Sequence, residues 1–277
     1  PACALLTRAQ GGITVNIVVF GAAGWLGRAI LTQASGRSTV RAFDRGPDAW
    51  AEWRDVDGDW TEGEIVHGDI ADYPTVERAI TGMDAVIHTA VFFPKADDPN
   101  DPRPFLINLK GMWNVLETAR LAGIRRVVHV GSCGTIHPQG LFYDATVRRA
   151  EGDLYGVCKR LQEEMCRQYH EAHGMSTVVL RPDYIVDSRL GIGRFREKLG
   201  QTGSPWRLGW VCRYDLAEAC LLAAENPTIE HEILHIVGTP GAEKFCNVAR
   251  AQQVLGLEFK GDLERFRDPA ESGRTEL

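Results

Sequence analysis

The chain has 277 residues, a hydrophobic content of 44%, a charged content of 25% and a formal net charge of −6 at pH 7. The acidic balance argues against a nucleic-acid-binding surface, and no apolar run reaches the ~20 residues of a transmembrane helix. The seven cysteines include no C-x-x-C pair, which favours reduced thiols over a disulfide framework or a metal site. We therefore expect a cytoplasmic protein with one or two globular domains, preceded by an N-terminal extension over residues 1–14.

A glycine-rich turn near the start of the chain joins a predicted strand to a predicted helix. Residues 17–20 are apolar, Gly21, Gly24 and Gly27 follow, and helical periodicity begins at Leu26. Glycines at this place permit a tight turn and a close approach to a pyrophosphate, while the helix start offers free N–H groups. The spacing differs from that of the commonest dinucleotide fingerprint. A strand–helix turn without a ligand is therefore the alternative for this stretch taken alone.

The second predicted strand, residues 39–43, ends at Asp44. This acid lies about 20 residues beyond the middle glycine, the distance at which a carboxylate accepts hydrogen bonds from the adenosine ribose. A 2′-phosphate would be repelled by the same charge, so Asp44 favours NAD over NADP. Arg41 and Arg45 weaken this preference because either guanidinium could contact a phosphate.

Further predicted strands at residues 64–67, 84–88 and 127–130 alternate with helices. This alternation predicts a parallel sheet with helices on both faces, a doubly wound α/β fold. A ligand crevice then lies at the carboxyl ends of the strands. The candidates at that edge are Gly21, Asp44, Asp69, Thr89 and Ser132.

Three residues provide the groups that hydride chemistry on an alcohol requires. Tyr155 and Lys159 are four residues apart on a predicted helix and share one face, and Ser132 follows the fifth strand. A phenol is a poor base at neutral pH, but a neighbouring ammonium group stabilises the phenolate and lowers its pKa. We expect Tyr155 to accept a proton from a substrate hydroxyl, Lys159 to hold the nicotinamide ribose, and Ser132 to fix the substrate oxygen.

Taken together, these motifs resemble those of the extended short-chain dehydrogenase/reductases, in particular the NAD-dependent epimerase/dehydratase family. The resemblance covers about residues 15–225. It implies a Rossmann NAD-binding domain over residues 15–180, which includes the Tyr155–Lys159 helix, and a small substrate-binding lobe over residues 181–277. It also implies pyrophosphate binding by the three glycines, ribose binding by Asp44, catalysis by Ser132, Tyr155 and Lys159, and a possible homodimer.

The cofactor-binding residues that we assign on this basis lie at successive strand ends and on the catalytic helix. They are Gly21, Ala23, Gly24, Trp25, Leu26, Gly27, Asp44, Arg45, Asp69, Ile70, Thr89, Ala90, Asn108, Tyr155 and Lys159. Of these, Asp69 and Ile70 are expected to contact the adenine.

The substrate is less constrained by the sequence. The segment between Pro182 and Tyr214 is shorter than the one with which nucleotide-sugar epimerases hold a nucleotide, and the chain is also similar to uronate dehydrogenases. Cys133-Gly134 stands where sugar-nucleotide dehydratases carry an acidic pair, which disfavours a dehydratase. We expect a dehydrogenase acting on a small sugar or sugar acid. The alternatives are a nucleotide-sugar epimerase and a non-catalytic NAD sensor.

Candidate substrate contacts are Phe93, Cys133, Arg194 and Arg207, with Lys95 beside Phe93. A shift of one residue in the comparison with the family would place the Cys133 thiol, rather than the Ser132 hydroxyl, at the catalytic position. A thiol is the weaker hydrogen-bond donor, so Ser132 is preferred.

Overall fold

The computed structural model describes residues 14–94, 98, 100–133, 145–146, 153–200 and 202–268. The first half of the chain forms, in order, β1 (Asn16–Phe20), α1 (Trp25–Ala34), β2 (Thr39–Asp44), α2 (Pro47–Ala51), α3 (Arg54–Asp57), β3 (Glu64–His67), α4 (Tyr73–Ile80), β4 (Ala85–His88), a π-helical segment (Pro104–Lys110), α5 (Gly111–Leu121) and β5 (Arg126–Val130). The second half forms α6 (Leu154–His173), β6 (Ser176–Arg181), β7 (Tyr184–Asp187), β8 (Ile192–Gly193), β9 (Trp210–Cys212), α7 (Arg213–Glu225), β10 (His231–His235) and α8 (Val248–Leu255), with single 3₁₀ turns at Ala242–Lys244 and Glu264–Phe266.

The central sheet has seven strands in the order β10-β6-β5-β4-β1-β2-β3. All of its strand pairs are parallel, and Phe20 at the end of β1 lies opposite Phe43 of β2 and His88 of β4. The chain reverses its direction across the sheet between β1 and β4, which is where ligands bind in doubly wound folds. The predicted doubly wound fold is confirmed.

Two apolar layers cover the faces of this sheet, and β1 contributes to both. Ile17 and Val19 pack in one layer with α1 and α7, whereas Val18 and Phe20 pack in the other with α4 and α5. All four side chains are fully buried because alternate residues of a strand point to opposite faces. A continuous apolar run therefore forms a strand buried on both sides.

The chain after β6 divides its residues between two sheets. Strands β8, β7 and β9 form a separate small sheet, whereas β10 returns to pair with β6 at the edge of the central sheet. The proposed domain division at residue 180 stays a prediction. Among the described residues, no helix combines the length and the apolar character that a membrane span requires.

Arg213 joins the small sheet to helices α1 and α3. Its fully buried guanidinium donates to Asp187 of β7 at 2.8 Å and to Asp57 of α3 at 2.7 Å, and it lies 4.0 Å from the centre of the Trp25 ring at the start of α1. Burial raises the pKa of Asp187, but the hydrogen bonds from Arg213 and Leu190 N and the charges of Arg213 and Arg189 together outweigh it and hold that pKa below its usual value.

Replacing Arg213 by Met should lower the free energy of unfolding by about 3–5 kcal/mol, because two buried carboxylates lose their cation. Urea unfolding followed by circular dichroism measures this loss. The control is Arg189→Met, because Arg189 also contacts Asp187, at 3.6 Å, but from an exposed position. Its loss should stay below about 1 kcal/mol. Equal losses in the two variants would contradict the role assigned to the buried guanidinium.

Candidate active site

A cavity of about 520 Å³ lies at the carboxyl ends of the central strands. Residues separated by more than 150 positions in the chain share it, because parallel pairing brings the ends of β1, β2, β4, β5 and β6 to one edge of the sheet. Its walls include Gly21, Asp44, Asp69, Thr89, Ser132, Tyr155, Lys159 and Asp183.

The glycine turn forms one end of the cavity. Gly21 has a φ of +84°, and a side chain there would come within 2.5–2.9 Å of Thr89 and Ala90. A Cβ at Gly27 would lie 2.1 Å from the Gly21 carbonyl oxygen, so only glycine fits at this position of the turn. The backbone can therefore come closer to a ligand than any side-chain-bearing turn would allow.

The start of α1 offers hydrogen-bond donors to this end of the cavity. The first helical bond runs from Arg28 N to Gly24 O at 3.0 Å, and Gly24 supplies no side-chain cap. The N–H groups of Trp25, Leu26 and Gly27 precede that bond and have no partner within the helix. All three residues line the cavity. This cradle of backbone donors and glycines fits a dinucleotide pyrophosphate.

Asp44 ends β2 beside the cradle. Its carboxylate accepts hydrogen bonds from Ala23 N at 2.9 Å and Arg45 N at 2.8 Å, and burial nevertheless raises its pKa. Asp69 and Ile70 line the cavity after β3, and Thr89 and Ala90 line it after β4. Asp44 thus lies in the cavity beside the glycine turn, and its binding of the adenosine ribose stays a prediction.

The three predicted catalytic residues lie together at the other end of the cavity. Ser132 follows β5, and a hydrogen bond joins it to Tyr155 on the first turn of α6. Lys159 is buried one turn further along α6, and its Nζ donates to Val130 O at 2.7 Å and lies 5.9 Å from the centre of the Tyr155 ring. The last carbonyl of β5 thus ties the catalytic helix to the sheet edge.

The prediction that Lys159 lowers the pKa of Tyr155 is not met in this structure. Burial is the dominant effect and raises the pKa of the Tyr155 phenol, whereas the hydrogen bond to Ser132 and the charge of Arg194 lower it. Burial also lowers the pKa of Lys159 to about 8. Desolvation disfavours the charged form of each group, so the two shifts have opposite signs.

Asn108 does not line the cavity, in contrast to its predicted contact with the cofactor. Its side chain accepts from Phe92 N at 2.8 Å and donates to Phe92 O at 2.9 Å, and it is almost completely buried. Both ends of the amide are therefore occupied by backbone. Asn108 fixes the loop that carries Phe92 and Phe93 into the cavity wall.

The four predicted substrate contacts separate into two pairs. Phe93 and Arg194 line the cavity, where the Phe93 ring stacks on Tyr155 at 5.1 Å and the Arg194 guanidinium lies 3.8 Å from the centre of the Phe93 ring. Cys133 lies outside it because its thiol is buried and donates to Arg181 O at 3.0 Å. Arg207 also lies outside it, with its guanidinium 5.2 Å from the centre of the Tyr184 ring. Lys95 falls outside the described residues.

Several lining residues were missed by the sequence reasoning. Asp183 follows β6 and Pro182, and the rule that sites lie at strand ends would have found it. Trp53 and Phe195 carry no such signal. They reach the cavity because Arg196, beside Phe195, binds Asp55 at 2.7 Å and packs on the Trp53 ring at 4.5 Å.

Comparison with known proteins identifies the family of the chain. Residues 17–236 match the model of the NAD dependent epimerase/dehydratase family. A uronate dehydrogenase of Pseudomonas syringae is 30% identical over 175 residues, 60% of this chain and 58% of that protein. A 3 beta-hydroxysteroid dehydrogenase/Delta 5-->4-isomerase of Mycobacterium tuberculosis is 28% identical over 180 residues, 61% of this chain and 47% of that protein.

The chain thus spans about half the length of these curated relatives. Among solved structures, a glucuronic acid dehydrogenase of Chromohalobacter salexigens superposes with a TM-score of 0.72 at 22% identity, over 96% of this chain and 91% of that one. That likeness supports the fold. The family match covers most of the sequence and confirms the resemblance drawn from the motifs. The chain belongs to the NAD dependent epimerase/dehydratase family.

Proposed function

We propose that this protein is an NAD-dependent dehydrogenase that transfers hydride between NAD and a hydroxyl-bearing carbon of a small sugar or sugar acid. The observation that carries the proposal is the placement of Ser132, Tyr155 and Lys159 in the cavity that begins at the glycine cradle. A non-catalytic NAD sensor would not require this set of groups. The similarity to uronate dehydrogenase supports the choice of substrate class.

The mechanism assigns one task to each side chain. When NAD is bound, its nicotinamide ring supplies the acceptor for the hydride. Ser132 and Tyr155 hold the reacting hydroxyl between them, and the Tyr155 phenolate takes the hydroxyl proton as the carbon loses hydride. Lys159, which donates to the carbonyl oxygen of Val130 and has its Nζ 5.9 Å from the centre of the Tyr155 ring, would hold the nicotinamide ribose. In the reverse direction Tyr155 returns the proton to the new alkoxide.

The substrate end of the cavity supports a small polar molecule. Arg194 lies over the Phe93 ring, next to Tyr155, and its guanidinium can bind a carboxylate of the substrate. The segment Arg194–Arg196 also connects this end to α3 through the ion pair of Arg196 with Asp55 at 2.7 Å.

The experiment is a spectrophotometric assay for NADH formation with D-glucuronate, D-galacturonate and D-glucose. We expect NADH with at least one of these compounds, and faster oxidation of a uronate than of glucose because of Arg194. An enzyme that forms no NADH with any of them, but interconverts UDP-glucose and UDP-galactose, is a nucleotide-sugar epimerase. That result would contradict the proposal.

Asp44 should decide between the two nicotinamide cofactors. In the Asp44→Ala variant, the preference for NAD over NADP, measured as the ratio of kcat/KM values, should fall by roughly ten- to hundredfold, because ribose hydrogen bonds to a charged acceptor are lost and repulsion of a 2′-phosphate disappears. The control is Asp48→Ala, since Asp48 lies on the first turn of the nearby helix α2 and does not line the cavity. An unchanged preference in Asp44→Ala would contradict ribose binding by this residue.

We also propose a cytoplasmic homodimer. The support for the dimer is a group of exposed apolar side chains on three mutually packed helical segments, namely Phe105, Leu106, Trp113, Leu121 and Leu161. The free thiols of six buried cysteines support a reducing compartment. Light scattering should give a mass of twice 30.6 kDa, and the Leu161→Glu variant should shift it towards the monomer. A wild-type monomer would contradict the dimer.

A further inference from the structure

Asp183 is a carboxylate in the cavity that the proposed mechanism does not use. It follows β6 and lines the same cavity as Ser132, Tyr155 and Arg194. Its charge is one of the influences that raise the pKa of Tyr155, so it lies within electrostatic reach of the reacting phenol. Asp183 therefore belongs to the substrate end of the cavity.

The carboxylate of Asp183 differs from the other buried acids because it has no hydrogen-bond or ion-pair partner among the described residues. Asp44 accepts from two backbone N–H groups, Asp215 accepts from Lys260 N and Gly261 N, and Asp187 pairs with Arg213. The acceptor oxygens of Asp183 are therefore open to donors from outside the protein, and a ligand in the cavity can supply them.

Gly209 makes the position of this carboxylate possible. A Cβ at Gly209 would lie 1.7 Å from Asp183 Oδ2, so any other residue would displace the acid. The bond from Tyr184 N to Gly209 O, at 3.1 Å, holds the two segments together. The carboxylate thus occupies a space that the backbone leaves open for it beside the cavity.

We propose that Asp183 is a substrate-binding residue that accepts a hydrogen bond from a second hydroxyl of the substrate, adjacent to the hydroxyl that reacts. The substrate is then a polyhydroxy compound with neighbouring hydroxyls. A substrate ammonium group would also suit a carboxylate, but the charges of Lys159 and Arg194 around Tyr155 would repel it. This inference rests on the proposed dehydrogenase function.

The Asp183 carboxylate should become a better hydrogen-bond acceptor as pH rises. Burial raises the pKa of Asp183 to about 7, and Arg207 lowers it. The other titratable groups that face it are Tyr155, Cys133 and Cys246. Burial raises the pKa of each of these three groups and lowers the pKa of Lys159, in the same cavity, to about 8. The part of the pH dependence that belongs to Asp183 is therefore the part that disappears when Asp183 is replaced. The ionised carboxylate is the better acceptor, so kcat/KM for a substrate with the second hydroxyl should rise through about pH 7.

The test compares D-glucose with 2-deoxy-D-glucose, which lacks the hydroxyl beside C1, in NADH-formation assays. The wild type should prefer D-glucose roughly ten- to hundredfold in kcat/KM, mainly through KM, because a hydrogen bond to a charged acceptor is lost. Asp183→Asn should reduce that preference to about twofold or less and remove the rise near pH 7, while its affinity for NADH stays that of the wild type.

The matched control is Asp153→Asn. Asp153 also raises the pKa of Tyr155, but it caps α6 by accepting from Gly156 N at 2.9 Å, and asparagine preserves such a cap. This variant should keep the preference for D-glucose. The same loss of preference in both variants would assign the effect to charge near Tyr155 and overturn the proposal.

If the wild type shows equal kcat/KM values for the two sugars, the proposal is overturned. This comparison needs no variant, so it tests the proposal even if Asp183→Asn does not fold. Absence of NADH with either sugar and with the uronates refutes the dehydrogenase function itself, which separates the two failures.

Discussion

Parallel pairing of the central strands is the constraint on which the site depends. In a parallel sheet every strand ends at the same edge, so the turn at Gly21, the acid at Asp44 and the hydroxyl at Ser132 meet although they are far apart in sequence. The strands can pair in this way only because apolar layers cover both faces. The buried core and the open crevice are therefore two results of one arrangement.

Loss of water at this edge sets the chemistry of its ionisable groups. Burial lowers the pKa of Lys159 to about 8 and raises the pKa values of Asp183, to about 7, and of Tyr155. The hydrogen bond from Lys159 to Val130 O and the stacking of Phe93 on Tyr155 hold Lys159 and Tyr155 in position. In a site of this kind, charges and hydrogen-bond donors that are held in position act strongly on a ligand because little solvent screens them.

The parts of the molecule that the sequence predicted are those governed by local patterns. Alternating strands and helices fixed the central sheet, and the residue after each strand supplied Gly21, Asp44, Thr89 and Ser132 to the cavity. Helical spacing placed Tyr155 and Lys159 on one face of α6. Their catalytic roles stay predictions.

The remaining parts depend on contacts between distant segments. Arg194 reaches the cavity, and Arg207 does not, because the small sheet of β7, β8 and β9 and the Arg213 ion pairs orient the segment that carries both. Neither feature has a periodic pattern in the sequence. The side chain of Asn108 lies outside the cavity for a similar reason, because its amide forms hydrogen bonds with the backbone N–H and carbonyl of Phe92.

The most direct test of the central claim is the single-turnover rate of NADH formation in Tyr155→Phe, measured together with NADH binding by fluorescence. Phenylalanine keeps the ring against Phe93 and removes only the hydroxyl that exchanges a proton. The account predicts a rate lower by about 10²–10⁴-fold with NADH affinity unchanged. A rate within threefold of the wild type would contradict hydride transfer assisted by Tyr155.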